Sequence, residues 1–554
     1  MSFNLEFIYM SNLVEKILIN RGYATEAERE AFLSPDYEGL HDPLMLADMD
    51  KAAERILSGI ESGEKMAIYG DYDIDGLSAT ALLIDGLSAM GADVKSYIPD
   101  RFEEGYGINT QALKTLKKQG VGLVITVDCG SVSFEPLEWA SSAGLDVIVT
   151  DHHEPMAKLP SAFAIINPKR QDSHYPFADL AGVGVAFKLI QGLQTVALSK
   201  ETDVGKRLPA GQEKWLLDLV ALGTVCDVVS LTDENRILVF YGLQVFRRTR
   251  RVGLAQLAHV SGLELDGIDA HHFGFVLDPR LNAAGRLEHA QKALDLFIAT
   301  NKNQALTLAS YLDELNTERR RQQNEIYEMA LLQAREQQNS PVLVLSHPEW
   351  SHGIVGIVAA KILERFHKPT IVMQEIDGRA KGSARSLGGF SMVEALRAAD
   401  DLLDKYGGHH VAAGCQLSSD QISEFRDRLN AYYYEQGYGD LRENPKPDLE
   451  LDDFSVLNES ECLELEGLAP FGMGNPRPIL YKRNAVLKQV KTVGDGGAHL
   501  KAEIGDGRRK LDAIGFGMGH QLDGLSQEVD VWFDIEMNHY MGRSNVQLKL
   551  KAIE

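Results

Sequence analysis

Four stretches of this chain place acidic and imidazole side chains where they could gather divalent metal. Gly70-Asp71-Tyr72-Asp73-Ile74-Asp75-Gly76 sets three carboxylates at alternate positions. Val127-Asp128-Cys129-Gly130 adds a fourth, and Thr150-Asp151-His152-His153 adds a carboxylate with two imidazoles. Cys226-Asp227-Val228 follows later. Hard cations such as Mg²⁺ and Mn²⁺ take oxygen-rich sets of this kind. An EF-hand beginning at Asp71 would place Gly76 correctly at its sixth position. Its twelfth position is Leu82, where a bidentate Glu is required, so that reading is rejected. A solvated turn would account for the first stretch alone but not for the set.

The elements around these residues explain why they count together. Lys65 to Tyr69, Gly122 to Val127, Leu145 to Thr150 and Ala162 to Ile166 are short apolar runs rich in β-branched residues. They alternate with helical patterns such as Leu77 to Met90, which predicts a parallel sheet covered on both faces. Ligands of such sheets sit at the carboxyl ends of the strands, where the acidic residues fall. Carboxylates crowded along one sheet edge repel one another unless cations neutralise them. The pattern therefore predicts a two-metal centre in which one carboxylate bridges the ions.

The predicted fold class is α/β. Residues 1–48 read as a helical lead-in and 49–286 as the parallel-sheet catalytic domain. The segment 287–338, almost without Gly or Pro, reads as a connecting helix. A smaller α/β domain is expected over 339–438, an acidic linker over 439–466 and a β-barrel over 467–554, where short β-like runs alternate with Gly-rich turns.

Composition narrows the function. The 554 residues carry a formal charge of −24, with 25% charged residues and four cysteines. Dispersed cysteines exclude a disulfide scaffold, and no window approaches 18 uncharged apolar residues, so no membrane span is expected. The first twenty residues lack a basic n-region, and a cytoplasmic location is expected. Net acidity argues against a wholesale nucleic-acid coat. From Pro476 onward, however, 12 Lys and Arg face 10 Asp and Glu, a local balance of +2.

DYDIDG, VDCG, DHH and ALGTVCDVV resemble, in order and spacing, the four motifs of the DHH phosphoesterase superfamily, and within it the bacterial single-stranded-DNA exonucleases. Further stretches share the resemblance: Ile98-Pro-Asp-Arg101 through Gly105-Tyr106-Gly107, Pro279-Arg280-Leu-Asn282 through Arg286, Trp350-Ser-His352-Gly, Gly382-Ser383-Ala-Arg385-Ser386, Gly407-Gly408-His409 and Leu468 through Pro476. The resemblance implies DHH, DHHA1 and OB-fold domains. It implies 5′→3′ hydrolysis of single-stranded DNA to 5′-mononucleotides with two Mn²⁺ or Mg²⁺ ions, in DNA recombination and repair. Single-stranded DNA is then the substrate, with a single-strand-binding protein and a RecQ-type helicase as partners, and a monomer is expected. Superfamily relatives that cleave oligoribonucleotides or cyclic dinucleotides generally lack an OB module. A replication scaffold that had lost its ligands would not retain this full set.

Carried over residue by residue, the resemblance makes Asp73 a ligand of the first ion and Asp75 of the second, with Asp128 bridging. His152 and Asp227 complete the second site, and His153 faces the scissile phosphate. Asp71 fits either direct ligation or a role in shaping the loop. Arg280, Ser383 and Arg385 are assigned to a pocket for the terminal 5′ phosphate, with Asn282, His352, Gly408 and His409 also facing substrate. Arg101 and Tyr106 read as a strand-tracking loop. The alternative for any one Arg is a surface salt bridge, and for Tyr106 ordinary packing. In the barrel, Lys482, Arg483, Lys488, Lys491, Arg508, Arg509 and Lys510 supply charge, with Tyr481 and Phe516 as stacking candidates. Trp532 and Phe533 are adjacent and would point to opposite sides of a strand.

Overall fold

Short β-branched runs that are apolar on both faces can only be accommodated between two layers of helices, and the first sheet takes this form. It contains β1 (Lys65–Tyr69), β2 (Asp93–Tyr97), β3 (Leu123–Val127), β4 (Asp146–Thr150) and β5 (Ala164–Ile166), all parallel, in the order β2-β1-β3-β4-β5. Every residue of β3 is buried. The computed structural model describes residues 11–101, 104–439, 441, 444–540 and 543–554. The chain leaves β1 for β2 on one side and returns to β3 on the other. The carboxyl ends of β1 and β3 therefore form the crevice where open parallel sheets bind ligands.

The fold comprises two compact units, Met1–Asp278 with Leu294–Ala305 and Asn444–Glu554, and Pro279–Ala293 with Leu306–Glu443. The first holds the parallel sheet and a closed barrel. β11 (Leu449–Glu450) runs parallel to β12 (Leu480–Val493), which is followed by β13 (His499–Gly505), β14 (Lys510–Gly515), β15 (Glu528–Tyr540) and β16 (Arg543–Ile553). The order β12-β13-β14-β16-β15 closes through pairing of β15 with β12. Register shifts in β12 between Lys482 and Ala485 and between Lys488 and Lys491 let this long strand curl to serve two neighbours.

The barrel's core differs from the expectation of a free linker before it. Leu451, Phe454, Leu457, Cys462 and Leu465 are buried in the same cluster as the barrel strands, and helix Glu459–Glu466 is capped by Asn458. The acidic residues of this segment lie mostly on its outer side while Leu451, Phe454, Leu457, Cys462 and Leu465 point inward, so net charge concealed a packed element. Leu13, Val14, Ile17, Leu18 and Phe32 of the lead-in join that cluster too. The backbone N–H and hydroxyl of Ser11, which caps helix Asn12–Asn20, donate to Glu464 and Glu461, both at 2.7 Å.

The second unit contains β6 (Leu343–His347), β7 (Thr370–Ile376), β8 (Arg379–Arg385), β9 (Leu403–Gly408) and β10 (Ala412–Ser418), in the order β6-β7-β8-β10-β9. Only β6 and β7 are parallel. The expected connecting helix begins later than its composition suggests. A separate helix covers Gln291–Phe297, and Lys302–Glu336 forms one helix of 35 residues. Asn301 accounts for the break, its side-chain oxygen accepting from the amides of Asn303 and Gln304.

Candidate metal centre

Asp73 ends the loop after β1 as the N-cap of helix Ile74–Met90, its carboxylate accepting from Gly76 N–H at 3.0 Å. Capping turns the loop so that Asp71 and Asp75 both point into the crevice. Gly76 is required there, since a Cβ would lie 2.8 Å from the backbone nitrogen of Asp71. Asp128 leaves β3 with φ of +60°, a left-handed conformation that Asp tolerates better than most residues, while its N–H still bonds to Thr150 O at 2.9 Å. Asp227 lies just past the end of helix Leu217–Cys226.

These residues converge. Ligand atoms of Asp71, Asp73 and Asp128 lie within 4.8 Å of one another, as do those of Asp75, His152 and Asp227. His152 Nε2 is 3.1 Å from Asp128 Oδ1, 3.6 Å from Asp227 Oδ2 and 3.8 Å from Asp75 Oδ2. Asp128 thus stands at the junction of the two groups. Asp71 falls within the first group rather than merely behind it. Asp71 Oδ1, Asp128 Oδ1, His152 Nε2 and Asp227 Oδ2 are buried and accept or donate no hydrogen bond among the described residues. Such orphaned atoms are expensive in a folded core, and several on one crevice fit the donor set of a pair of hard cations.

Electrostatics say the same. Burial, reinforced by the Asp73 charge, pushes the Asp75 carboxyl up to about 7. Burial and then the charges of Asp75 and Asp73 push Asp227 up to about 9. Asp71 and Asp128 are raised for the same reasons, and burial drives His152 down to about 3. A cation here would offset each of these penalties at once.

Two supports were not legible in the sequence reading. The amides of Gly182 and Val183, at the start of helix Gly182–Ser199, donate to the two oxygens of Asp75 at 2.6 and 2.8 Å. A Cβ on Gly182 would lie 2.8 Å from Asp128 Cβ and 2.9 Å from a carboxylate oxygen of each of Asp128 and Asp75. The only signal was the small-residue run Ala181-Gly-Val-Gly-Val185. The second support is Asp151, which accepts from the amides of Ser131, His152 and His153 and from His153 Nδ1 at 2.8 Å. Burial opposes charge on both partners, yet this network holds Asp151 below and His153 above their ordinary ranges. His153 is 45% exposed, and the Tyr106 hydroxyl lies 3.2 Å from its Nδ1 and 3.3 Å from Asp128 O. Arg101 lies over the ring of Tyr72 at 5.1 Å.

Comparison with known proteins now adds to the geometry. Residues 65–224 match the DHH family N-terminal domain, 339–435 the DHHA1 domain and 448–552 the RecJ OB domain. The single-stranded-DNA-specific exonuclease RecJ of Bacillus subtilis is 38% identical over 99% of this chain and 68% of its own length. That of Escherichia coli is 35% identical over 97% and 95%. This chain belongs to the RecJ family. The crystal structure of Thermus thermophilus RecJ in complex with Mn²⁺ has a TM-score of 0.82 at 30% identity, over 97% of this chain and 75% of that one. The match to the RecJ OB domain begins inside the segment expected as a linker, in agreement with the shared core.

In the DHHA1 region of this RecJ-family chain, Ser383 and Arg385 lie together on β8. A Cβ on Gly356 would meet Ser383 Oγ at 3.1 Å and Arg385 Nη2 at 3.3 Å. Arg385 donates to Ala384 O at 2.8 Å and has no ion pair among the described residues; burial lowers its pKa. Arg280, on helix Asp278–Leu287, which also carries Asn282, instead directs Nε at Asp313 (2.8 Å). His352 begins helix His352–Phe366, its N–H bonded to Gln374 at 3.1 Å. Gly408, with φ of +140°, and His409 form the turn of the β9–β10 hairpin, where a Cβ on Gly408 would meet Ala412 O at 2.5 Å.

The barrel's expected basic groove is partly spent on internal pairs. Arg483, Arg508 and Lys510 pair with Glu450, Asp453 and Glu503, and Arg509 donates to Leu457 O. Lys482 donates to Arg483 O, and Lys488 and Lys491 are without carboxylate partners among the described residues. Tyr481 packs against Trp532 with centroids 4.6 Å apart and planes tilted by 33°, its hydroxyl bonded to Asp530 at 2.5 Å. Phe533 is wholly buried, whereas Phe516 is exposed.

Proposed function

We propose that this chain is a metal-dependent exonuclease specific for single-stranded DNA, proceeding 5′→3′ and releasing 5′-mononucleotides in DNA recombination and repair. The observation that carries the reading is the pair of ligand groups, Asp71-Asp73-Asp128 and Asp75-His152-Asp227, joined where Asp128 meets His152 at 3.1 Å. Asp71 and Asp73 would hold one cation, Asp75, His152 and Asp227 the other, and Asp128 both. Carboxylates dominate the set, which suits Mn²⁺ or Mg²⁺. Two such ions supply an acidified water and offset the charge that develops on the phosphodiester.

The remaining steps belong to the chain's own groups. The Gly182 and Val183 amides fix Asp75 in one orientation. Asp151 orients His153 and favours its protonated form, so the imidazole can donate to a phosphoryl oxygen. Tyr106 steadies that ring from the open side. Ser383 and Arg385, backed by Gly356, form a hydroxyl–guanidinium pair suited to a terminal phosphate, which a 5′-phosphorylated strand carries at its 5′ end. Arg101 in the first unit, and Arg280, Asn282, His352, Gly408 and His409 in the second, would each contact substrate. No helix among the described residues is long and apolar enough to cross a membrane. A cytoplasmic monomer working beside a single-strand-binding protein and a RecQ-type helicase completes the reading.

The test is hydrolysis of a 5′-labelled single strand beside the same strand in duplex, with Mn²⁺ or EDTA. Release of labelled mononucleotide from the single strand in Mn²⁺ alone is the expected result. Internal cuts, equal cleavage of the duplex or activity in EDTA would refute it.

A further inference from the structure

Phe275 is 73% exposed, the most exposed large hydrophobic side chain among the described residues. It lies on a π-helical turn, Phe273–Leu277, whose Phe273 and Leu277 are buried, so the turn itself presents the ring to solvent. The ring stacks on His271 with centroids 4.6 Å apart and planes at 20°. On the barrel, Phe516 is 55% exposed and meets His499 edge-on at 5.2 Å. Lys549 of β16 lies 5.6 Å over the Phe516 ring, with its nearest carboxylate, Glu536, at 3.8 Å. Burial holds His271 below the ordinary imidazole range, opposed by the charge of Asp269 and aided by those of His272, Lys549 and Arg477. His271 therefore presents a neutral flat ring.

We propose that Phe275 with His271, and Phe516 with His499, are stacking platforms for bases of the single strand, and that Lys549, over the Phe516 ring, meets a phosphate of the same strand. The inference rests on the reading of the chain as an enzyme of single-stranded DNA and adds to it a second contact region that joins the catalytic domain to the barrel. Isolated aromatic faces interleaved with a cation suit nucleotides better than a protein surface, which would want a contiguous apolar patch. The local charge agrees, since the barrel region carries +2 in a chain of −24. Bases in a duplex are already stacked on their neighbours and cannot lie on these rings. The platforms would therefore favour single strands before any bond is cut.

The experiment measures affinity of the full-length protein for a fluorescent oligothymidylate in EDTA, and for a matched strand carrying a run of abasic sites. Phe275→Ala should weaken binding of the base-bearing strand roughly five- to a hundredfold, the range expected for loss of one base–aromatic stack. It should change binding of the abasic strand far less, and Phe275→Trp should retain affinity. Lys549→Gln should make binding less steeply dependent on salt. Unchanged affinity in Phe275→Ala, or equal losses on both strands, would overturn the proposal. Adding Mn²⁺ to the wild-type complex tests the exonuclease reading separately, because failure to cleave would refute that reading while the affinities still decide the platforms.

Discussion

The stability of the metal-free protein should fall as pH rises, and Asp75 and Asp227 set the size of the effect. The Asp75 carboxyl is wholly buried, and its folded-state value of about 7 stands above its ordinary 3.8. The folded state therefore holds a proton that the unfolded state releases. The stabilisation is full below about 4 and is lost progressively as pH rises to about 7. At ~1.4 kcal/mol per pH unit for one proton, the loss attributable to Asp75 is about 4 kcal/mol between pH 4 and 7, and Asp227, raised to about 9, adds a larger decline that continues toward pH 9. Cations replace these protons, so saturating Mn²⁺ should flatten the profile; at a hundred times its dissociation constant a ligand adds ~2.7 kcal/mol. Urea melts at pH 5.5 and 8.5, in EDTA and in Mn²⁺, sample the upper part of that decline, about 2 kcal/mol of it from Asp75, and the effect of the cation. Asp75→Asn shifts the level by disturbing the Gly182 and Val183 hydrogen bonds, so the slope with pH is the informative reading, and it should shrink in EDTA. Equal slopes for wild type and Asp75→Asn would refute the assignment, as would metal-free protein that is no less stable at pH 8.5.

Asp128→Ala should reduce turnover below a hundredth of wild type while leaving single-strand affinity in EDTA largely intact, because one carboxylate serves both ligand groups. Gly182→Ala should weaken Mn²⁺ binding at least tenfold by calorimetry and turnover about a hundredfold, since its Cβ must displace Asp128 or Asp75 by several tenths of an ångström. Arg385→Ala should raise the concentration for half-maximal rate roughly ten- to a hundredfold on 5′-phosphorylated strands and much less on 5′-hydroxyl strands. A coupling energy near zero in that cycle would remove Arg385 from the terminal-phosphate site. Arg236→Met should cost roughly 3 kcal/mol in urea melts, because the buried guanidinium donates to Phe32 O, Leu468 O and Ala469 O and stacks on Phe32 at 3.7 Å.

Much of the convergence of the candidate metal ligands was legible along the chain. The β-branched runs ending in Asp71, Asp128 and Asp151 define strands by composition and place their acids at one sheet edge by topology alone. Asp227 joined them only through its motif, since nothing in a helical run reveals which sheet it meets. What the linear chain concealed are contacts between residues far apart in it. The amides that hold Asp75 come from Gly182 and Val183, and a backbone N–H leaves no trace in composition. The acidic run near 450 read as a linker because net charge averages over a segment, whereas burial depends on which side each residue faces. Likewise, Arg483, Arg508 and Lys510 looked available for phosphate until folding brought Glu450, Asp453 and Glu503 beside them. Local propensity and periodicity act over a few residues and so can be read in order. Hydrogen bonding, charge pairing and burial act through space, and only the tertiary structure decides which groups they reach.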